Sequence, residues 1–121
     1  MKDELSELLV KLKNLESQDR DVDKEIASVF GSVSKNGVPL CAGYVGIGMF
    51  TAHFDAAVNL AKAALPDMNY YGVEHEPKTV EAFVQRNFCP KEEALASFAE
   101  HPTSDAIAMV IAVVKAKLEG R

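Results

Sequence analysis

Cysteine is scarce in this chain of 121 residues: Cys41 and Cys89 are the whole supply, and they do not stand in a C-x-x-C pair. That argues against a disulfide framework, and both thiols are expected to be reduced core or pocket-wall groups in a cytosolic protein. Long apolar runs are also missing. Ala106 to Val114 is the longest, well short of the about 20 residues a helix needs to span a bilayer. The opening segment MKDELSELLVKLKNL is charged and periodic, which is not the pattern of a targeting peptide. Its KDEL is not C-terminal and so is no retrieval signal. Basic charge is in deficit, with 13 Lys and Arg against 18 Asp and Glu for a net charge of −5. Duplex nucleic-acid binding rests on neutralising phosphates, so such a balance argues against it. A local basic patch would suit a small anionic ligand better.

The familiar cofactor motifs are absent as well. Gly43, Gly46 and Gly48 are spaced G-x-x-G-x-G, whereas the dinucleotide fingerprint runs G-x-G-x-x-G inside a βαβ unit. Met49 follows Gly48, where a phosphate-binding Walker loop needs lysine. His53, His75 and His101 are scattered, none has a partner four residues on, and no cysteine stands at metal-ligand spacing. The reading is no metal, no cofactor, and no set of nucleophile, base and orienting group. A Cys–His pair brought together by the fold stays open. Glu74, His75 and Glu76 are expected to meet solvent at a strand end.

What is present describes one α+β domain over 1–121. Apolar residues at 48% and charged residues at 26% fit a folded chain rather than a disordered one. A domain of this length buries roughly two-thirds of its unfolded surface. Leu5, Leu8, Leu12 and Leu15 alternate three- and four-residue steps, the seam of a first helix. That seam suits packing within its own domain, with a subunit contact as the other use. Ser17 or Asp19 caps a second helix carrying Val22, Ile26, Val29 and Phe30, which stops near Gly31. Residues 31–50 read as a loop with a short strand near Leu40 to Val45. Phe54, Ala57, Val58, Ala61 and Leu65 form the stripe of a third helix, with Thr51 as its N-cap and Pro66 as its end. NYYGVEH and KTVEAFVQRN read as a hairpin around "EP". EALASFAEHPT fits either helix or strand. A final helix from Thr103 or Ser104 carries Ile107, Val110, Ile111, Val114 and Leu118 and is apolar nearly all round, which predicts central burial.

The residues with binding chemistry are aromatic, arginine and amide side chains. FVQRNF gathers Phe83, Gln85, Arg86, Asn87 and Phe88 near a strand end. Aromatic faces stack on bases and arginine pairs with phosphate. The glycine-rich approach to the third helix allows close contact, and that helix's start offers free N–H groups and a positive dipole end. The candidate ligand-binding residues are therefore Phe50, Thr51, Phe83, Arg86 and Asn87. The bland alternative makes Phe83 core, Arg86 a solvated rim residue and the glycine segment a plain helix entry.

Three segments carry a resemblance. DRDVDKEIASVFG (19–31), FTAHFDAAVNLAKAALP (50–66) and EHPTSDAIAMVIAVVKAKL (100–118) resemble, in order and spacing, the helices of a family of small bacteriophage α/β sandwich-domain proteins. Met49-Phe50 stands where that family usually has Pro-Tyr, and His101-Pro102-Thr103 where Ala-Thr-Pro is common. The resemblance implies N-terminal helices, a small antiparallel sheet of about three strands, with EALASFAEHPT as the third, and two amphipathic helices packed on it. It also points to the anti-Thoeris sponge group, oligomeric proteins that sequester cyclic ADP-ribose isomers, some of which capture the cyclic oligonucleotides of CBASS defence. The implied function is a phage-encoded homo-oligomeric sponge in the cytoplasm of an infected bacterium, not an enzyme, binding a cyclic nucleotide signal without turnover. The rival reading is a phage structural or protein-interaction module that docks through the leucine seam.

Overall fold

The computed structural model describes residues 2–33, 39–41, 44, 45, 47–65, 68, 70–85 and 96–119. Its elements run α1 (Lys2–Asn14), α2 (Arg20–Phe30), β1 (Ser32–Val33), β2 (Pro39–Cys41), β3 (Tyr44–Val45), α3 (Phe54–Ala64), β4 (Tyr70–His75), β5 (Val80–Gln85), β6 (Ala96–His101) and α4 (Asp105–Leu118). This is the α+β class that the patterning predicts. Among the described residues no helix is long and apolar enough to cross a membrane.

The most apolar stretch of sequence becomes the centre of the molecule. Every residue from Ala106 to Val114 is buried, and Ala116 with them. Several are β-branched and cost helix propensity. The segment is nevertheless helical because its surroundings are apolar on all sides. Fully burying one such side chain contributes about 1.5–3 kcal/mol, which outweighs the propensity loss. Ser104 starts the helix by accepting the Ile107 N–H at 3.1 Å. Asp105 in the first turn and Lys115 and Lys117 in the last suit its dipole.

The sheet has the order β4-β5-β6 and is antiparallel throughout. The β4–β5 pairing runs from Tyr70 opposite Gln85 to His75 opposite Val80, and the hairpin closes with the Glu76 N–H on the Thr79 carbonyl at 2.8 Å. β6 continues from Val80 opposite His101 to Gln85 opposite Ala96, so EALASFAEHPT does supply a strand. Strand alternation sends Val80, Ala82, Val84 and Ala99 into the buried interior. Glu81 and Phe83 take the other face. Glu74, Glu81 and Glu100 are direct cross-strand partners there, a row of like charges.

Two details depart from the sequence expectation. Only α4 lies broadly on the sheet; α1 and α3 pack on α4 and form the layer beyond it. A helix buried all round needs cover on both sides, and these two supply it. Within 31–50 the described residues hold three short strands where one was expected near Leu40 to Val45. β1, β2 and β3 form a second antiparallel sheet, with Ser32 opposite Leu40 and Leu40 opposite Val45. Pro39 is tolerated in its middle strand as the first residue.

The leucine seam lies inside. Leu5, Leu8 and Leu12 are 3%, 0% and 0% exposed, and Leu15 packs on the same core. This is the use within the domain, and it leaves the seam no contact face for another molecule. At the end of α1, the Lys11 ammonium pairs with the Glu25 carboxylate of α2. That hydrogen-bonded carboxylate raises the lysine pKa above its ordinary value. His101 fastens three elements. Its Nδ1 accepts the Thr103 and Ser104 N–H groups at 3.1 and 2.8 Å, so Nε2 carries the hydrogen and donates to the Leu15 carbonyl at 2.6 Å.

Candidate functional site

The segment from Ile47 to His53 is held against the start of α2 by a compact polar network. Asp19 caps α2, its carboxylate accepting the Asp21 and Val22 N–H groups. One turn on, Asp23 is fully buried. Its carboxylate accepts the Thr51 N–H at 2.9 Å, the Thr51 hydroxyl at 2.8 Å and Arg20 Nη1 at 3.2 Å. A carboxylate taken out of water is tolerated only with such partners. The Thr51 oxygen in turn accepts the Asp19 N–H at 3.0 Å. Arg20 also donates to the Gly48 and Ile47 carbonyls, each at 3.2 Å. The Met49 carbonyl takes the Ala52 and His53 N–H groups, closing a tight turn into α3.

This fixed backbone borders a surface cleft of about 540 Å³, lined by Ile47, Gly48, Met49, His53, Phe54, Asp55 and Ala56. Its size is ordinary for a small-molecule site. The N-cap of α3 is His53, whose exposed side chain makes no capping bond. Residues 54–56 thus bring first-turn N–H groups, which a helix leaves without internal partners, to the cleft. Met49, 41% exposed, and Phe54 add apolar surface. Asp55 is the opposing charge. A second cleft of about 390 Å³ lies among Leu5, Val29, Phe30, Ala63, Ala64 and Lys117; among these described residues the Lys117 ammonium is the one polar side-chain group.

The sequence candidates separate in space. Phe50 is fully buried and belongs to the core. Thr51 is 2% exposed, and its hydroxyl is engaged by Asp19 and Asp23. It is not the N-cap of α3, which starts three residues later, because Asp23 draws it towards α2. Phe83 lies on the sheet face away from α4, over Gly72, beside Glu81 in the acidic row. The sheet therefore stands between Phe83 and the core that holds Phe50. Arg86 and Asn87 fall outside the described residues, as do Gly43, Gly46, Phe88 and Cys89. Glu74, His75 and Glu76 are exposed, as expected. Among the described residues no group of three or more His, Cys, Asp or Glu is placed to hold a metal ion.

Local spacing misses Arg20 and Asp23. Their partners lie 27 to 28 residues away, and only the fold brings them together. The glycine at 48 has a packing reason rather than a motif. A Cβ there would stand 2.7 Å from Phe50 Cζ and 2.9 Å from Cε1. The buried ring cannot swing into solvent. Gly48→Ala should therefore destabilise by about 2 kcal/mol, as overpacking does. The corresponding fall in Tm is about 8 °C, to be read by thermal denaturation; an unchanged Tm would show that Phe50 has room to move.

Comparison with family models, with curated proteins and with solved structures finds no match for this chain.

Proposed function

We propose that this chain is a phage-encoded binding protein that sequesters a cyclic nucleotide immune signal, a cyclic ADP-ribose isomer or a cyclic oligonucleotide, without turnover. It works as a homo-oligomer in the cytoplasm of the infected bacterium. The observation that carries this is the cleft at residues 47–56, where pinned backbone, first-turn amides of α3 and exposed apolar surface meet. The resemblance of the three helical segments supports the choice of ligand class. Of the histidines, His101 is committed to backbone groups on both ring nitrogens, so it serves the fold rather than proton transfer.

A sponge must hold its signal below the concentration that the receptor needs, which calls for nanomolar binding, about −12 kcal/mol. Calorimetry against a panel of cyclic ADP-ribose isomers and cyclic di- and trinucleotides is the test. At least one should bind in that range and be recovered chemically unchanged after heat release. Binding no tighter than about micromolar across the panel, about −8 kcal/mol, would defeat the reading, as would a hydrolysed product. Mass by size exclusion with light scattering reports on the oligomer.

A further inference from the structure

Arg20 opens α2 and reaches to the backbone that walls the cleft. Its Nη1 donates to Asp23 and to the Gly48 carbonyl, and its Nη2 donates to the Ile47 carbonyl. A guanidinium has five N–H donors. Three are used, so the Nε–H and one Nη2 N–H have no partner among the described residues. Two donors are what a phosphoryl or carboxylate group takes from one arginine. The side chain is 50% exposed while that of Asp23 is 1% exposed. One end of the ion pair is thus anchored in the core, and the other stands at the surface beside Ile47 and Gly48.

We propose that Arg20, which stands behind the Ile47–Gly48 wall rather than among the lining residues, is an anion-pairing residue at the rim of this cleft, taking a phosphoryl group of the ligand while Asp23 holds the guanidinium in place. The inference rests on the reading of residues 47–56 as a ligand site. It assigns there a small phosphorylated molecule whose apolar or planar part lies against Met49 and Phe54. Lysine would not substitute, because a point charge lacks the paired donors.

The test is an NMR titration of the full chain that observes backbone amides and the Arg20 Nε–H. Inorganic pyrophosphate and ADP are the probes. Pyrophosphate should shift the Arg20 Nε–H and the amides of 47–56 saturably, and ADP should bind at least several-fold tighter because it also covers the apolar wall. Arg20→Lys should weaken both several-fold. Arg20→Gln leaves Asp23 buried without its cation and could unfold the segment, so the decisive comparison is R20Q/D23N against D23N. Affinity should fall tenfold or more between those two, with the α4 amide signals in place. Equal affinity in the pair, no saturable shift, a shift map away from 47–56, or ADP no tighter than pyrophosphate would overturn the assignment. Pyrophosphate held at Arg20 with no cyclic nucleotide bound keeps this inference and removes the proposed function. Cyclic nucleotide binding indifferent to Arg20 does the reverse.

Discussion

Asp23→Ala should lower the stability of this protein by about 3 kcal/mol, because it strands a buried N–H and removes charge-assisted hydrogen bonds. The carboxylate is fully buried and accepts from the Thr51 N–H, the Thr51 hydroxyl and Arg20. Alanine leaves the Thr51 amide with no acceptor. The hydroxyl still accepts the Asp19 N–H and can turn its hydrogen to the Asp19 carbonyl, at 3.3 Å. Arg20, half exposed, returns to water at little cost. At about 4 °C per kcal/mol, Tm should fall by about 12 °C. Hydrogen exchange should speed at Thr51, Ala52 and His53 before it changes in α4. Asp23→Asn keeps one acceptor oxygen and should cost about a third as much on the same reasoning. If Asp23→Ala melts within about 2 °C of the parent, the carboxylate does not pin the cleft wall.

Leu8→Ala carries an expected loss of similar size and tests a different layer. Leu8 is 0% exposed in the core that α1 shares with α4. Truncating a buried leucine costs about 3 kcal/mol through lost transfer energy and the cavity left behind, a Tm fall of about 12 °C. The native mass in light scattering should be unchanged. A seam that worked as a subunit contact would behave otherwise: the mass would drop, and the melting point would depend on protein concentration. Such a result would revive the interaction-module reading that burial of Leu5, Leu8 and Leu12 speaks against.

Features that depend on near neighbours in sequence were legible before any coordinates. Short polar side chains just ahead of periodic apolar residues narrow the caps to Ser17 or Asp19 and to Thr103 or Ser104, and the structure takes Asp19 and Ser104. The leucine seam and the central burial of α4 follow from the period and width of their apolar stripes. The hairpin followed from β-rich runs around "EP". Features fixed by distant partners were not legible. Thr51 looked like an N-cap because its hydroxyl precedes an apolar stripe, yet Asp23 claims it from 28 residues away. One short strand was expected near Leu40 to Val45; its division into β2 and β3 and its pairing with β1 were not, because strands of two or three residues are too short for alternation to register. Phe50 and Phe83 offered the right chemistry, but burial and strand alternation send them to different places. Arg20 sat inside an acidic helix start, and nothing local tied it to Ile47 and Gly48.

Placing the most apolar helix after every other element has a consequence for biogenesis. While the ribosome is still making residues 1 to about 100, the inner faces of α1, α3 and the sheet have nothing to close upon, and His101 has yet to join the Leu15 carbonyl across 86 positions. Contacts of such long sequence separation form slowly. At a synthesis rate of about 5–20 residues per second, the growing chain spends seconds with greasy surfaces uncovered. Only the emergence of α4 gives those faces a surface to close upon.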